Sequence, residues 1–387
     1  MTNNEARTLS SLFPEHGHVL LSGTGKDLVE RLGIDVVRRI VLAILQGENV
    51  RTQTEPLSRR RISQISGALV TMFLEGCLLQ AVFPQRLTDL ALQQIDSKHK
   101  KTKGDAWLAK WIIGLTGKAE QNVLRGDAQA RAAYLADFET ALVEAAAQCQ
   151  AAMGDVEMVL QKENAIGHQQ VTLDWYGILR LTTVIGCQTL AIRGSDKAIF
   201  GKLFERLVLG SLLTLLGFTR VNPATNTRTH NVFWLSDGSD IRESDATILI
   251  RPGKLARFDM GFIGIGNSEI FKDKLSRYAR EVEGTYGTQN YVNFIVVDRL
   301  PAAGTAQTHA LTLGAEIIQM SMSHWPQTLA QRLGARLGFE HELQALPADQ
   351  IKAYLEQQLA TMPISDFLAG VSTEDLADTF QDKAALT

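Results

Sequence analysis

The Pro252-Gly253 pair constrains the fold of this chain more than any other feature. It lies between ATILIR and KLARFDMG, two runs of strand length, and a Pro-Gly step there sets a tight reversal. Pairing outward from that turn places Asp245 opposite Asp259 or Met260. Alternation along a strand then puts Leu255, Arg257, Asp259, Gly261 and Ile263 on one face and Ala256, Phe258, Met260 and Phe262 on the other. The second set is apolar and reads as a core face, so Asp259 is expected on the polar side, beside Asp245.

Two carboxylates a few ångströms apart raise each other's pKa unless a cation holds them. Hard oxygen donors of this kind suit Mg²⁺, which also takes waters and phosphate oxygens from a substrate. The surroundings favour the same chemistry. Glu205 lies in a helix-like run just upstream, and Lys272 and Lys274 follow the second strand. Together they describe a site able to hold Mg²⁺ against a phosphodiester. Lys254 is a poor source of the cation, because the five residues to Asp259 span roughly 16 Å of extended strand. A second grouping remains open, Asp259 with Glu269 and Lys272, and both groupings keep Asp259.

The rest of the chain divides by composition. Residues 1–195 read as mainly helical. Predicted helices cover Lys26–Gln46 with Gly47 as its cap, Ser58–Leu79, Leu87–Ile95, Asp105–Leu115, Asp127–Glu163 and Leu173–Ile192, the last ending at Arg193-Gly194-Ser195-Asp196. Residues 196–322 hold a further helix and then strand-like pieces at Asn231–Leu235, Ala246–Ile250, Leu255–Ile265, Tyr291–Asp298 and Ala315–Met320. Residues 323–387 return to a helical pattern broken at Pro347 and Pro363. The expected class is α/β in the α+β sense, with a helical N-terminal half packed on a mixed-sheet core and helices at the C-terminus.

Several functions are disfavoured. Cys77, Cys149 and Cys187 are few and widely spaced, which fits a reducing cytoplasm better than a disulfide framework or a cysteine zinc site. No uninterrupted apolar run reaches the ~20 residues of a membrane span, and the first residues carry no secretory pattern. Ser22-Gly23-Thr24-Gly25-Lys26-Asp27 lacks the spacing of a phosphate-binding loop and reads as a turn into a helix. The histidines show no HExxH or HxxxH spacing. A formal net charge of −3 and a pI near 6.3 require any nucleic-acid contact to come from local clusters of cations.

The order of elements, a helix with Glu205, a strand, a strand entered at Asp245, a hairpin, then a strand with Asp259, resembles the PD-(D/E)xK nuclease core. Asp245 matches the first acid, with Ser244 in place of proline, and Asp259 matches the second after 13 intervening residues. Gly261 stands where that pattern has lysine, so the lysine must come from elsewhere, with Lys272 and Lys274 the candidates. The text FPEHGHVLLSGTGKDLVERLGIDVV, GENVRTQTEPLSRRRI, FGKLFERLVLGSLLTLLGF and ESDATILI…RFDMGFIGIGN…DKLSR is similar to the CfrBI family of type II restriction endonucleases. That resemblance implies a homodimer cutting double-stranded DNA at a short palindrome of the CCWWGG type. It also implies Mg²⁺-dependent hydrolysis that leaves 5′-phosphates. A structure-directed or repair nuclease on the same core, or a DNA-binding regulator without catalysis, are the alternatives. The N-terminal half is the expected recognition region.

Two basic clusters are the candidate DNA contacts: Arg51, Gln53, Arg59, Arg60 and Arg61, and then Lys98, Lys100, Lys101 and Lys103. Arg59–Arg61 is read as opening a helix. Cations oppose the helix dipole there, so a nearby phosphate or purine edge would account for them.

Overall fold

The computed structural model describes residues 8–96, 102–116, 128–164, 167–236, 244–262, 291–298, 315–369 and 371. Among these the chain forms eleven α-helices, a two-stranded sheet and a mixed six-stranded sheet. It divides into two compact units, Met1–Gly23 with Leu57–Lys197, and Thr24–Pro56 with Ala198–Thr387.

The first unit is helical apart from one hairpin. It contains α1 (Leu9–Leu12), α2 (Glu15–Ser22), most of α5 (Val50–Leu79), α6 (Phe83–Asp96), α7 (Lys103–Ile112) and α8 (Ala128–Met153). Thr102 and Asp105 form a capping box at the start of α7, which fixes that helix end from sequence. Trp111 is buried in the core, as its helical spacing predicts. Gly154, at φ +80, ends α8, so the helix expected to run to Glu163 stops at Met153. The chain instead forms the antiparallel strands β1 (Met158–Asn164) and β2 (Gly167–Leu173), paired from Met158↔Leu173 to Asn164↔Gly167.

Two more boundaries differ from the sequence reading. Helix α5 begins at Val50 rather than Ser58, because Asn49 supplies the cap: its Oδ1 accepts from the Arg51 amide at 2.9 Å. Arg59–Arg61 therefore lie inside a helix, and the dipole argument does not apply to them. Helix α9 runs unbroken from Trp175 to Leu215, through the predicted end at Arg193-Gly194-Ser195-Asp196. A glycine inside a helix costs only about 1 kcal/mol relative to alanine, and Arg61 secures Asp196 there through an ion pair of 2.5 Å. By length and composition α5 is the one described helix apolar enough to cross a membrane, with 44% of its apolar window buried.

The second unit carries the large sheet. Its strands, β3 (Thr219–Arg220), β4 (Val232–Leu235), β5 (Ala246–Arg251), β6 (Lys254–Gly261), β7 (Tyr291–Val297) and β8 (Glu316–Gln319), lie side by side in chain order. β4, β5 and β6 form an antiparallel meander, whereas β6, β7 and β8 run parallel. Ala256, Phe258 and Met260 are fully buried, and Phe258 stacks on Phe294 with ring centroids 5.2 Å apart.

Helices α3 (Gly25–Leu32) and α4 (Ile34–Leu45) belong to this unit. The single helix expected over Lys26–Gln46 is broken at Gly33, whose φ of +102 only glycine adopts at low cost. Thr24 and Asp27 build a capping box, which makes this segment the turn into a helix that its sequence suggests. α10 (Trp325–Leu337) and α11 (Ala348–Ala360) complete the unit, with Pro347 and Pro363 at the breaks predicted for them. Trp325 Nε1 donates to the Ile44 carbonyl at 2.9 Å, fastening α10 to α4.

Candidate active site

The turn at Pro252-Gly253 closes as its residue types require, with Gly253 at φ +77. Pairing runs from Arg251↔Lys254 through an irregularity near Leu249 to Ala246↔Phe258. Asp245 and Asp259 are the next positions beyond the last pair. Asp245 Oδ2 accepts from the Met260 amide at 2.7 Å, so this carboxylate caps the end of the ladder. Both aspartates are half-buried, and the alternation of β6 gives Asp259 the face opposite Phe258 and Met260.

Neighbouring strands extend that face. In the parallel register Arg257 lies beside Asn293, and Asp259 beside Ile295. The Arg257 guanidinium sits over the Tyr291 ring, 5.1 Å from its centroid. Thr247, opposite Arg257, is buried and its hydroxyl is 3.2 Å from that of Ser244. Asn293 is buried, and its Oδ1 has no hydrogen-bond partner among the described residues.

Glu205 is half-buried on α9, flanked by the buried Leu203, Phe204, Leu207 and Val208. The next residue, Arg206, ties this helical turn to the strand end. Its Nη1 donates to the Ser236 carbonyl and its Nε to the Phe367 carbonyl at 3.3 Å. The Ser236 amide in turn donates to the Asp245 carbonyl at 3.1 Å. A short chain of bonds thus joins the turn carrying Glu205 to the strand carrying Asp245. Sequence reasoning passed over Arg206, Ser236 and Asn293. The one available signal was the position of Arg206 directly after an acid already singled out.

Glu269, Lys272 and Lys274 lie outside the described residues, as do Lys98, Lys100 and Lys101, and the side chain of Lys103. Arg51, Arg59 and Arg60 are exposed along α5, and the half-buried Gln53 donates to Glu48 Oε2 at 2.5 Å. Arg61, expected among the surface contacts, is instead fully buried. Its Nη1 pairs with Asp196, while Nε and Nη2 donate to the Leu20 carbonyl at 3.0 and 2.7 Å. Among the described residues no group of three or more His, Cys, Asp and Glu side chains gathers to hold a metal. Asp245 and Asp259 both lie at the open end of the β5–β6 hairpin, just past its last pair.

The sequence profile of the CfrBI restriction endonuclease matches residues 34–305. The type II restriction enzyme CfrBI of Citrobacter freundii is 29% identical over 360 residues, covering 92% of this chain and 97% of that protein. No solved structure matches. With that profile covering well over half of its length, the chain belongs to the CfrBI restriction endonuclease family, and its enzyme class is that of the site-specific endonucleases.

Proposed function

We propose that this enzyme hydrolyses double-stranded DNA at a short palindrome of the CCWWGG type in a Mg²⁺-dependent reaction, acting as a homodimer and leaving 5′-phosphates. The observation that carries the reading is the β5–β6 register, whose continuation one step past Ala246↔Phe258 would bring Asp245 opposite Asp259, because neighbouring carboxylates call for a shared cation. The meander β4–β5–β6 continuing into parallel β7 and β8, with Asp245 directly before β5 and Asp259 on β6, supports a core of the PD-(D/E)xK kind.

The donor set fits Mg²⁺. One or two protein carboxylates are its common complement, with waters and substrate phosphate oxygens filling the rest. Bound there, the ion supplies a Lewis acid that acidifies water and neutralises charge growing on phosphorus. Asp245 and Asp259 would hold it, and the bond from the Met260 amide fixes the Asp245 carboxylate in place. Glu205 orients the attacking water or the lysine. Since Gly261 provides no amine, Lys272 or Lys274 takes that part. The N-terminal half, residues 1–195, supplies recognition, with Arg51, Arg59 and Arg60 among its phosphate contacts. Residues 196–322 form the nuclease core, and residues 323–387 pack on it.

A digest of a long, sequenced DNA in Mg²⁺, beside an EDTA control, tests the reading, and sequencing the fragment ends gives the site and stagger. Asp259→Asn should lower cleavage by more than the roughly 10- to 100-fold that outer partners of a metal are worth, while leaving DNA binding intact. Discrete fragments from the Asp259→Asn protein at the wild-type rate would remove Asp259 from the site. A smear from the wild-type protein would favour a non-specific or repair nuclease.

A further inference from the structure

The β1–β2 hairpin lies in the proposed recognition half but has no contact assigned to it. A lone two-stranded ribbon is marginally stable in water, and here one face is anchored. Leu173 is buried, Met158, Leu160 and Val171 are half-buried on the same side, and Lys162 Nζ pairs with Glu75 Oε1 at 2.7 Å. Alternation turns Val159, Gln161, Glu163, His168, Gln170 and Thr172 to the other side, where all six are exposed.

That outer face has an unusual composition. Gln161 and Gln170 stand directly opposite each other, and neither side chain makes a hydrogen bond among the described residues. Thr172 lies opposite Val159, and His168 opposite Glu163. The face offers amides, a hydroxyl, an imidazole and one carboxylate, but no lysine or arginine. Its only cation on these strands, Lys162, points inward and is paired.

These groups match the edges of bases rather than phosphates. Glutamine bonds adenine N6 and N7 in bidentate fashion, threonine meets the thymine methyl or a polar edge, and glutamate accepts from cytosine N4. The shape also fits. Paired strands lie about 4.8 Å apart, and the major groove, about 12 Å wide, admits a two-stranded ribbon. A second copy of the chain is a weaker occupant, since Val159 is the single apolar residue on a face that would have to form an interface core.

We propose that the β1–β2 ribbon reads base edges in the DNA major groove, with Gln161 and Gln170 as the pair that determines sequence preference. This rests on the reading of the protein as a sequence-specific endonuclease, but its test does not depend on cleavage. The wild-type protein, with Ca²⁺ in place of Mg²⁺, is used to select bound sequences from a random duplex pool. Gln161→Ala and Gln170→Ala are taken through the same selection, with sedimentation to record oligomeric state.

The expected result is a wild-type consensus from which each variant loses preference at one or two base positions, by roughly 5- to 150-fold. Binding to non-specific DNA and its salt dependence should not change, because no phosphate contact is removed. Both side chains are exposed, so folding is not at stake. An unchanged consensus in both variants, or no consensus from the wild type, overturns the proposal. A variant that loses preference together with its oligomeric state overturns it in favour of a subunit contact. A wild-type consensus without Mg²⁺-dependent cutting would refute the proposed nuclease function and leave the ribbon's role standing.

Discussion

Replacing Arg61 with alanine separates a buried structural role from a DNA contact. The guanidinium is fully buried, pairs with Asp196 at 2.5 Å and satisfies the Leu20 carbonyl with two further donors. Its loss strands a carboxylate whose side chain is only 3% exposed and whose Oδ2 has no other partner among the described residues. Breaking one side of such a buried pair costs about 3–5 kcal/mol. With a urea m-value of about 3 kcal/mol per molar, the denaturation midpoint falls by about 1 to 1.7 M. Fluorescence-monitored urea unfolding of Arg61→Ala measures this directly. The double variant Arg61→Met with Asp196→Leu removes both charges and should recover most of the loss, because apolar replacement of a buried pair is often neutral or stabilising. The reasoning fails if Arg61→Ala keeps the wild-type midpoint while the log–log salt slope of DNA binding drops by about 0.9, the signature of one lost phosphate contact.

Two further perturbations test the packing. Burial alone would raise the Glu139 carboxyl, but bonds from Thr88, Tyr176 and Arg180, together with the Arg180 charge, hold it below its ordinary value of 4.5. A depressed carboxylate contributes stability that is complete above its unfolded pKa and is lost as pH falls through the lower folded value. Glu139→Gln should therefore flatten the acid limb of the stability profile below about pH 4.5, as read from denaturation midpoints at stepped pH. Trp325→Phe removes the indole donor to the Ile44 carbonyl from a nearly sealed site, and should cost about 1–3 kcal/mol by thermal or chemical unfolding.

The sheet was legible because its signals are local. A Pro-Gly turn fixes register and alternation fixes faces, so the pairing of β5 with β6 and the buried face of Ala256, Phe258 and Met260 follow from residue types alone. The β1–β2 ribbon was not legible for the converse reason. With one face exposed and a polar, glutamine-rich text after an alanine-rich helix, it has no apolar alternation strong enough to outweigh the helical pattern before it. The continuity of α9 rests on a tertiary contact, Arg61 with Asp196, that no window of sequence around Gly194 contains. Arg61 itself did carry a usable signal. It lies four residues from Leu57 and four from Ile65, both fully buried, and so falls on the apolar stripe of α5, whereas Arg59 and Arg60 do not.

That distinction bears on how a chain of net charge −3 holds DNA. Net charge counts every arginine equally, although a guanidinium sealed against a carboxylate offers nothing to a phosphate. Arg61 with Asp196 and Arg180 with Glu139 are spent in this way inside the first unit. The cations exposed to a polyanion are those at the surface, such as Arg51, Arg59 and Arg60 on one helix. On the proposed roles, grip and readout fall to different elements. Arginines on α5 would supply the salt-dependent term, and the outer face of the ribbon, which carries no lysine or arginine, would supply discrimination. A protein built this way can be acidic overall and still bind DNA, because specificity is carried by amides and hydroxyls that never enter the charge count.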